Sequence, residues 1–327
     1  MTTASEQRLA GRERSLEDLD TGQPLPRGVV HKAAPEQVFV TDWMPGPGDD
    51  LCTIAARFPL AHARFSDNAA PYFDLLLVAE TVRQAGIVVA SEILGMEDDR
   101  QFLLRELKVQ LDPLERARRG RDNCEVLISQ DPSSEVKIRP GRSMAGGLMR
   151  ARVSIGGRPA GSCEVMGAWV PEEFYAGLRG GKVDKDSGQG LPQPTGRAEV
   201  ETAIGKLNPA NSVLTPVRST AERSYEGALV IETDEPTFFD HPLDHVPGLY
   251  LLEGMQQVAI AAACRERGLD HGRLFVSGFQ IRFSRIAEFQ PDVTCAAVLD
   301  EDCRGAAVSC SQEGKACCEG RVTIARL

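Results

Sequence analysis

Two stretches, F-S-D-N-A-A-P-Y-F-D-L-L-L-V-A-E-T-V-R-Q at 65–84 and F-F-D-H-P-L-D-H-V-P-G-L-Y-L-L-E-G-M-Q-Q at 238–257, decide the fold. They superpose without a gap at an offset of 253 − 80 = 173 residues, which matches Phe65 with Phe238, Asp67 with Asp240, Glu80 with Glu253 and Gln84 with Gln257. The same offset lays F-L-L-R-E-L-K-V (102–109) over F-V-S-G-F-Q-I-R (275–282). An offset of 174 lays H-K-A-A-P-E-Q-V (31–38) over G-K-L-N-P-A-N-S (205–212). Self-similarity in one register along the chain marks a duplicated unit.

Each copy has one coarse plan. A segment of strand character (Val38–Trp43; Ala228–Thr233) leads into a long apolar helix, about 73–94 and about 248–267, with Gly95 and Gly268 where C-terminal caps belong. Strands are expected at about 101–110, 122–130, 148–156 and 160–169 in the first copy, and at about 274–284, 292–300, 305–312 and 315–325 in the second. Residues 1–28 read as a polar tail, 29–175 as repeat one, 176–203 as a Gly/Pro-rich linker and 204–327 as repeat two. An apolar helix needs burial on nearly every side. The expected fold is therefore α+β, with each long helix wrapped by a curved antiparallel sheet.

Composition narrows the function classes. With 327 residues the chain is long enough for two cores, and its net charge of −10 argues against a nucleic-acid surface. The most apolar run, Val246 to Cys264, is broken by Glu253, Gln256 and Gln257, so no membrane span is expected. The first thirty residues lack the pattern of a signal peptide, and nine scattered cysteines without a C-x-x-C pair suggest neither disulfides nor zinc. The reading is a reduced, cytoplasmic protein without metal or cofactor.

The helices carry the chemistry. From Leu75 to Ala90 only Glu80, Thr81, Arg83 and Gln84 are polar, and spacings of three and four put Glu80, Arg83 and Gln84 on one face. The matching face in repeat two carries Glu253, Gln256 and Gln257. A carboxylate in apolar surroundings is costly unless paired. These groups therefore either satisfy one another or line a pocket. Ahead of the second helix stand His241, beside Asp240, and His245; repeat one has Asn68 and Tyr72 there.

The D-H-P-L-D-H-V-P-G-L-Y-L-L-E segment (240–253) resembles the P-G-x-x-x-x-E helix start of hotdog-fold β-hydroxyacyl-ACP dehydratases. Together with H-K-A-A-P-E-Q-V-F-V-T-D-W (31–43) and L-L-L-V-A-E-T-V-R-Q-A-G (75–86), it makes the chain similar to the AfsA-type family of A-factor (γ-butyrolactone) biosynthesis, over roughly 29–175 and 204–327. That resemblance implies a tandem double hotdog, a pseudo-dimer in one chain. It also implies an acyltransferase that moves a β-ketoacyl group from acyl carrier protein to the hydroxyl of dihydroxyacetone phosphate. The family's E-x-x-R-Q helix motif is complete in repeat one, whereas Gln256 stands in place of Arg in repeat two. Either the second helix plays a lesser part or the acceptor differs.

In two-fold dehydratases of this fold each site takes its His from one unit and its acid from the other. The resemblance thus pairs His241 with Glu80 and Arg83 as the catalytic group, and Asn68 with Glu253 and Gln256 as a stripped second site. Gln84, Asp240, His245, Gly248, Glu253, Gln256 and Gln257 are the expected substrate-binding residues, with N–H groups at the Gly248 helix start available to an oxyanion. Arg116, Arg118, Arg119 and Arg121, in the run L-E-R-A-R-R-G-R (114–121), are expected to dock an acidic carrier protein. The rivals are dehydration or hydrolysis of an acyl thioester on the same fold, and a non-catalytic acyl-binding protein.

Overall fold

In the computed structural model, residues 15–46, 52–96, 100–138, 145–180 and 200–327 are described. The expected tail residues 1–14 and linker residues 181–199 lie outside them. Repeat one contributes β1 (Val40–Pro45), β2 (Cys52–Arg57), helix α1 (Leu75–Val88), β3 (Gln101–Leu111), β4 (Glu125–Gln130), β5 (Glu135–Ile138), β6 (Ala145–Ile155) and β7 (Arg158–Val170). A short helix α2 (Glu172–Leu178) follows. Repeat two contributes β8 (Arg218–Ala221), β9 (Ser224–Ala228), helix α3 (Gly248–Arg267), β10 (Leu274–Phe283), β11 (Thr294–Leu299), β12 (Gly305–Gln312) and β13 (Lys315–Arg326).

All thirteen strands form one sheet in the order β1-β2-β4-β6-β7-β3-β10-β13-β12-β11-β9-β8, with β5 on β6. The order reads the same from both ends when repeats are exchanged. The joint between repeats is the antiparallel pair β3–β10, where Leu107 faces Ile281 and Lys108 faces Gln280. At the offset of 280 − 107 = 173, residues 107 and 280 are equivalent, as are 108 and 281. Each pair is thus the image of the other, and the pseudo-two-fold axis passes between them.

Both long helices are sunk in the concave face of this sheet. In α1 every residue but Arg83 is buried, and the helix starts on Asp74, whose carboxylate accepts the Leu76 N–H at 2.8 Å. In α3 Tyr250 to Cys264 are all buried, and Gly268 ends the helix at φ 61°. Gly95 also takes a left-handed φ of 60°, after a π-helical turn at Val89–Ile93 extends α1. The leading strand of repeat two lies earlier than the hydrophobic pattern suggests. Residues 218–228 form a hairpin turning at Arg223 (φ 55°), while Leu229 and Val230 donate instead to Val293 and Val213. The described part of the expected tail packs on repeat one, with the Leu25 N–H on the Val40 carbonyl at 2.8 Å.

Candidate active site

The equivalent helix faces have become two unlike polar clusters. The first is built around Glu80, which is 2% exposed. Arg83 grips its carboxylate with two bonds of 2.8 Å, through Nε and Nη2. Gln84 Nε2 donates to Glu80 Oε1 at 2.8 Å and to the Gln37 carbonyl at 2.7 Å, while its Oε1 accepts the Phe39 N–H. Gln84 is thus a brace that locks α1 to the chain ahead of β1, with no surface left for a ligand. Lys32 Nζ stands 3.3 Å from Glu80 and 3.9 Å from Asp240 of the other repeat. Asp240 accepts the Ala33 N–H at 2.9 Å and holds His241 Nδ1 at 2.6 Å.

The chain Arg83–Glu80–Lys32–Asp240–His241 therefore crosses from one repeat to the other, and its buried middle has open ends. Arg83 is 32% and His241 48% exposed at the side chain, whereas Lys32 and Asp240 are nearly covered. Burial alone would raise the Glu80 carboxyl, but Arg83 and then Lys32 outweigh it and hold the group near 2. Asp240 is likewise depressed, against burial, by the His241 bond and by Lys32. Glu80 is thus a fixed anion, too acidic to take a proton at neutral pH. His241, oriented through Nδ1 with Nε2 turned away from Asp240, is the group suited to proton transfer.

Beside this cluster an apolar cavity of about 530 Å³ opens between the repeats, bounded by Ala79, Arg83 and Gly86 of α1 and by Leu249 and Leu252 of α3. Helix α3 begins there behind Pro247, with no side-chain cap. Its first described bond runs from the Tyr250 N–H to the Pro247 carbonyl at 3.0 Å, so the Gly248 and Leu249 N–H groups precede the ladder. Arg83 thus belongs both to the cavity wall and to the chain that ends on His241, and α3 adds Leu249 to the same wall.

The second cluster is sealed. Lys206, the equivalent of Lys32 at the 174-residue offset, is paired with Asp74 and donates to Asn68 Oδ1 at 3.0 Å. Its Nζ is 3.9 Å from Glu253. Arg64 reaches Glu253 Oε1 at 3.5 Å, donates to the Asn211 carbonyl at 2.9 Å and lies over the Phe238 ring. Gln257 repeats the part of Gln84, donating to Glu253 at 2.7 Å and to the Asn211 carbonyl at 2.8 Å, and accepting the Val213 N–H. Arg64, Asn68, Asp74, Lys206, Glu253 and Gln257 are all buried at 3% exposure or less. Burial pushes the Glu253 carboxyl up, with Lys206 pulling against it. Arg64 supplies the cation that the neutral Gln256 does not. This arrangement does not bring Glu253, Gln256 or Gln257 to the open cleft.

His245 lies in a further network. Asp244 holds its Nδ1 at 2.6 Å, Tyr175 of α2 donates to both Asp244 oxygens at 3.0 Å, and Arg179 bridges Asp244 and Glu288. The run after β3 packs beside the sealed cluster. Arg119 donates to the Ser66 and Asn68 carbonyls and is spent on structure, whereas Arg118 and Arg121 are exposed and Arg116 half-buried. Among the described residues no group of three His, Cys, Asp or Glu side chains is placed to hold a metal ion. Nor is any helix there long and apolar enough to cross a membrane.

Sequence reading did not single out Lys32, Arg64, Asp74 or Lys206. The available signal was the match of Lys32 with Lys206 inside the 31–38/205–212 block.

Comparison with known proteins agrees with this architecture. A 12:0-ACP thioesterase from Umbellularia californica superposes with a TM-score of 0.50 at 12% identity, covering 87% of this chain and 100% of that one. That likeness concerns the fold. A 2-oxo-3-(phosphooxy)propyl 3-oxoalkanoate synthase of Streptomyces virginiae is 31% identical over 265 residues, 81% of this chain and 83% of the relative. Its namesake in Streptomyces coelicolor is 30% identical over 82% and 80% of the two chains. With the A-factor biosynthesis hotdog domain matched twice, at residues 15–171 and 191–325, this chain belongs to the AfsA family of tandem hotdog proteins.

Proposed function

We propose that this protein is the acyltransferase of γ-butyrolactone signal biosynthesis, moving a β-ketoacyl group from acyl carrier protein to the hydroxyl of dihydroxyacetone phosphate. The relatives' names supply the substrate class: a phosphooxypropyl group esterified with a 3-oxoalkanoate. The observation that carries the reading is the cross-repeat chain that joins the Asp240–His241 dyad to Glu80 and Arg83 through Lys32.

In this mechanism His241 Nε2 takes the proton of the acceptor hydroxyl as its oxygen attacks the thioester carbonyl. The carbonyl oxygen gains charge and is held by the Gly248 and Leu249 N–H groups at the positive end of α3. Collapse expels the carrier thiolate, which recovers the proton from the imidazolium. Asp240 keeps the ring in one tautomer and balances its charge, the part an orienting carboxylate plays in a catalytic triad. Arg83, with Nε and Nη2 committed to Glu80, offers Nη1 to the acceptor phosphate, and Lys32 adds a second positive charge. Glu80 anchors both cations. We place the reaction in the cytoplasm, a setting that suits nine free, buried thiols. Arg118 and Arg121, both exposed, and the half-buried Arg116 are the proposed contact for the acidic carrier.

The test is mass spectrometry of products from the purified protein, offered a β-ketoacyl carrier protein with and without dihydroxyacetone phosphate. A phosphorylated ester that forms only with the acceptor supports transfer. Free acid or an enoyl product, independent of acceptor, refutes it.

A further inference from the structure

The cleft continues behind Arg83. Its cavity shares the walls Val82, Gly86, Met149 and Val165 with a second, smaller hollow between α1 and the repeat-one sheet, lined by Cys52, Ile54, Ile128 and Cys163 with the half-buried Gln130 and Arg150. Side chains alone separate the two spaces. Met149, on β6, is only partly buried and belongs to the most adaptable apolar side-chain type. Opposite it, Gly86 has none. A Cβ there would lie 3.8 Å from Met149 Cε, an ordinary contact, so packing does not demand glycine at 86. A glycine in mid-helix is unfavourable, and what this one leaves is clearance.

In repeat two the equivalent position carries a side chain. Residue 86 + 173 = 259 is alanine, fully buried. Gly254 on the same helix is required by close packing, because a Cβ would stand 2.7 Å from Cys295 Sγ and 2.8 Å from Leu229 Cδ1. The glycine that faces Met149 thus belongs to the half whose helix carries Glu80 and Arg83.

We infer that the two hollows form one acyl channel and that Met149, against Gly86, is the partition setting the length of β-ketoacyl chain accepted. This rests on the proposed transfer reaction for the identity of the chain. The thioester end lies at Arg83 and Leu249, and the methyl end passes Gly86 into the adjoining hollow once Met149 turns aside. Short chains end before the partition; longer ones need it displaced.

The experiment compares wild type, Gly86→Leu and Met149→Ala, none of them altering the polar cluster. Transfer to dihydroxyacetone phosphate is measured with hexanoyl-, decanoyl- and tetradecanoyl-length β-ketoacyl thioesters. Binding of hexanoic, decanoic and tetradecanoic acids is measured by calorimetry without any reaction. Each buried methylene is worth about fourfold in binding, so excluding three of them lowers affinity by about 60-fold. Gly86→Leu is expected to lose long chains by that order while keeping the shortest, and Met149→Ala to shift preference to longer ones. Gly86→Ala, which fits at ordinary contact, controls for folding. Superimposable chain-length profiles in both measurements overturn the channel, as does failure of wild type to bind any of the acids. A shifted binding profile without acceptor-dependent ester leaves the channel standing and removes the transfer reaction instead.

Discussion

Replacing Glu80 with glutamine tests the electrostatics of the open cluster, because it keeps the shape and the acceptor for Gln84 while removing the charge. The Glu80 carboxyl sits near 2 rather than its ordinary 4.5, since Arg83 and Lys32 outweigh burial. A folded-state value below the unfolded one makes folding favour the ionised form. The resulting stability is fully present above about pH 4.5 and is lost as pH falls towards 2. At roughly 1.4 kcal/mol per pH unit, the gap between the two values amounts to about 3 kcal/mol. The group is almost wholly shielded, so solvent screening removes little of this. The assay is urea unfolding of wild type and Glu80→Gln at pH 7 and pH 3, where contributions from all other carboxylates cancel in the difference. Wild type should be the more stable at pH 7 by an amount of that order, and about 2 kcal/mol of the advantage should vanish at pH 3. A difference that is equal at both pH values refutes the ion-pair account.

Three further outcomes follow from the same geometry. His241→Ala and Asp240→Asn should each lower kcat on the order of 10³- to 10⁴-fold, the loss seen when a histidine or its orienting carboxylate is removed; rapid-quench mass spectrometry of the ester reads it, and a change confined to KM contradicts the dyad's role. Glu253→Gln, in the sealed cluster, should leave transfer within about threefold of wild type, less than 1 kcal/mol of barrier, and a collapse of kcat in soluble, folded protein would return that cluster to the chemistry. Arg116→Glu with Arg121→Glu should raise KM for carrier-bound substrate, most at low salt, and spare a pantetheine thioester; equal loss on both substrates removes the docking surface.

Much of the fold was legible because a duplicated period constrains many positions at once. The offset that aligns Glu80 with Glu253 also accounts for the self-mirrored register of β3 on β10, and the capping glycines 95 and 268 stop the helices as read. The short elements were less visible. The first strand of the hairpin at 218–228 is exposed and polar, its second has only Tyr225 as a large apolar residue, and β5 is a four-residue edge strand. At the site, His241, Asp240, Glu80 and Arg83 were within reach of pattern and resemblance. Lys32 was not, because its meaning depends on an ion pair with a residue about two hundred positions away. The shared fate of Gln84 and Gln257, spent on backbone groups before β1 and β8, is a matter of burial that no motif carries.

The divergence of the two clusters turns on one aligned position. Residue 74, at the start of α1, is aspartate; its equivalent at 74 + 173 = 247, at the start of α3, is proline. Asp74 fills the positive end of its own helix by accepting the Leu76 N–H, and its second oxygen takes Lys206. That helix start is closed to any substrate oxygen, and Arg64 and Asn68 complete the plug. Pro247 has no side chain to reach back and no N–H to bond, so the leading amides of α3 stay uncapped. In a dimer of identical chains, a substitution at this position would close both sites or neither. Fusing the copies removes that coupling: one helix start takes a buried ionic lock, Asp74 with Lys206, and the other stays uncapped behind Pro247. Breaking a buried pair by deleting one partner costs about 3–5 kcal/mol, and this one joins Lys206 of repeat two to Asp74 of repeat one, so the sealed cluster ties the repeats to each other.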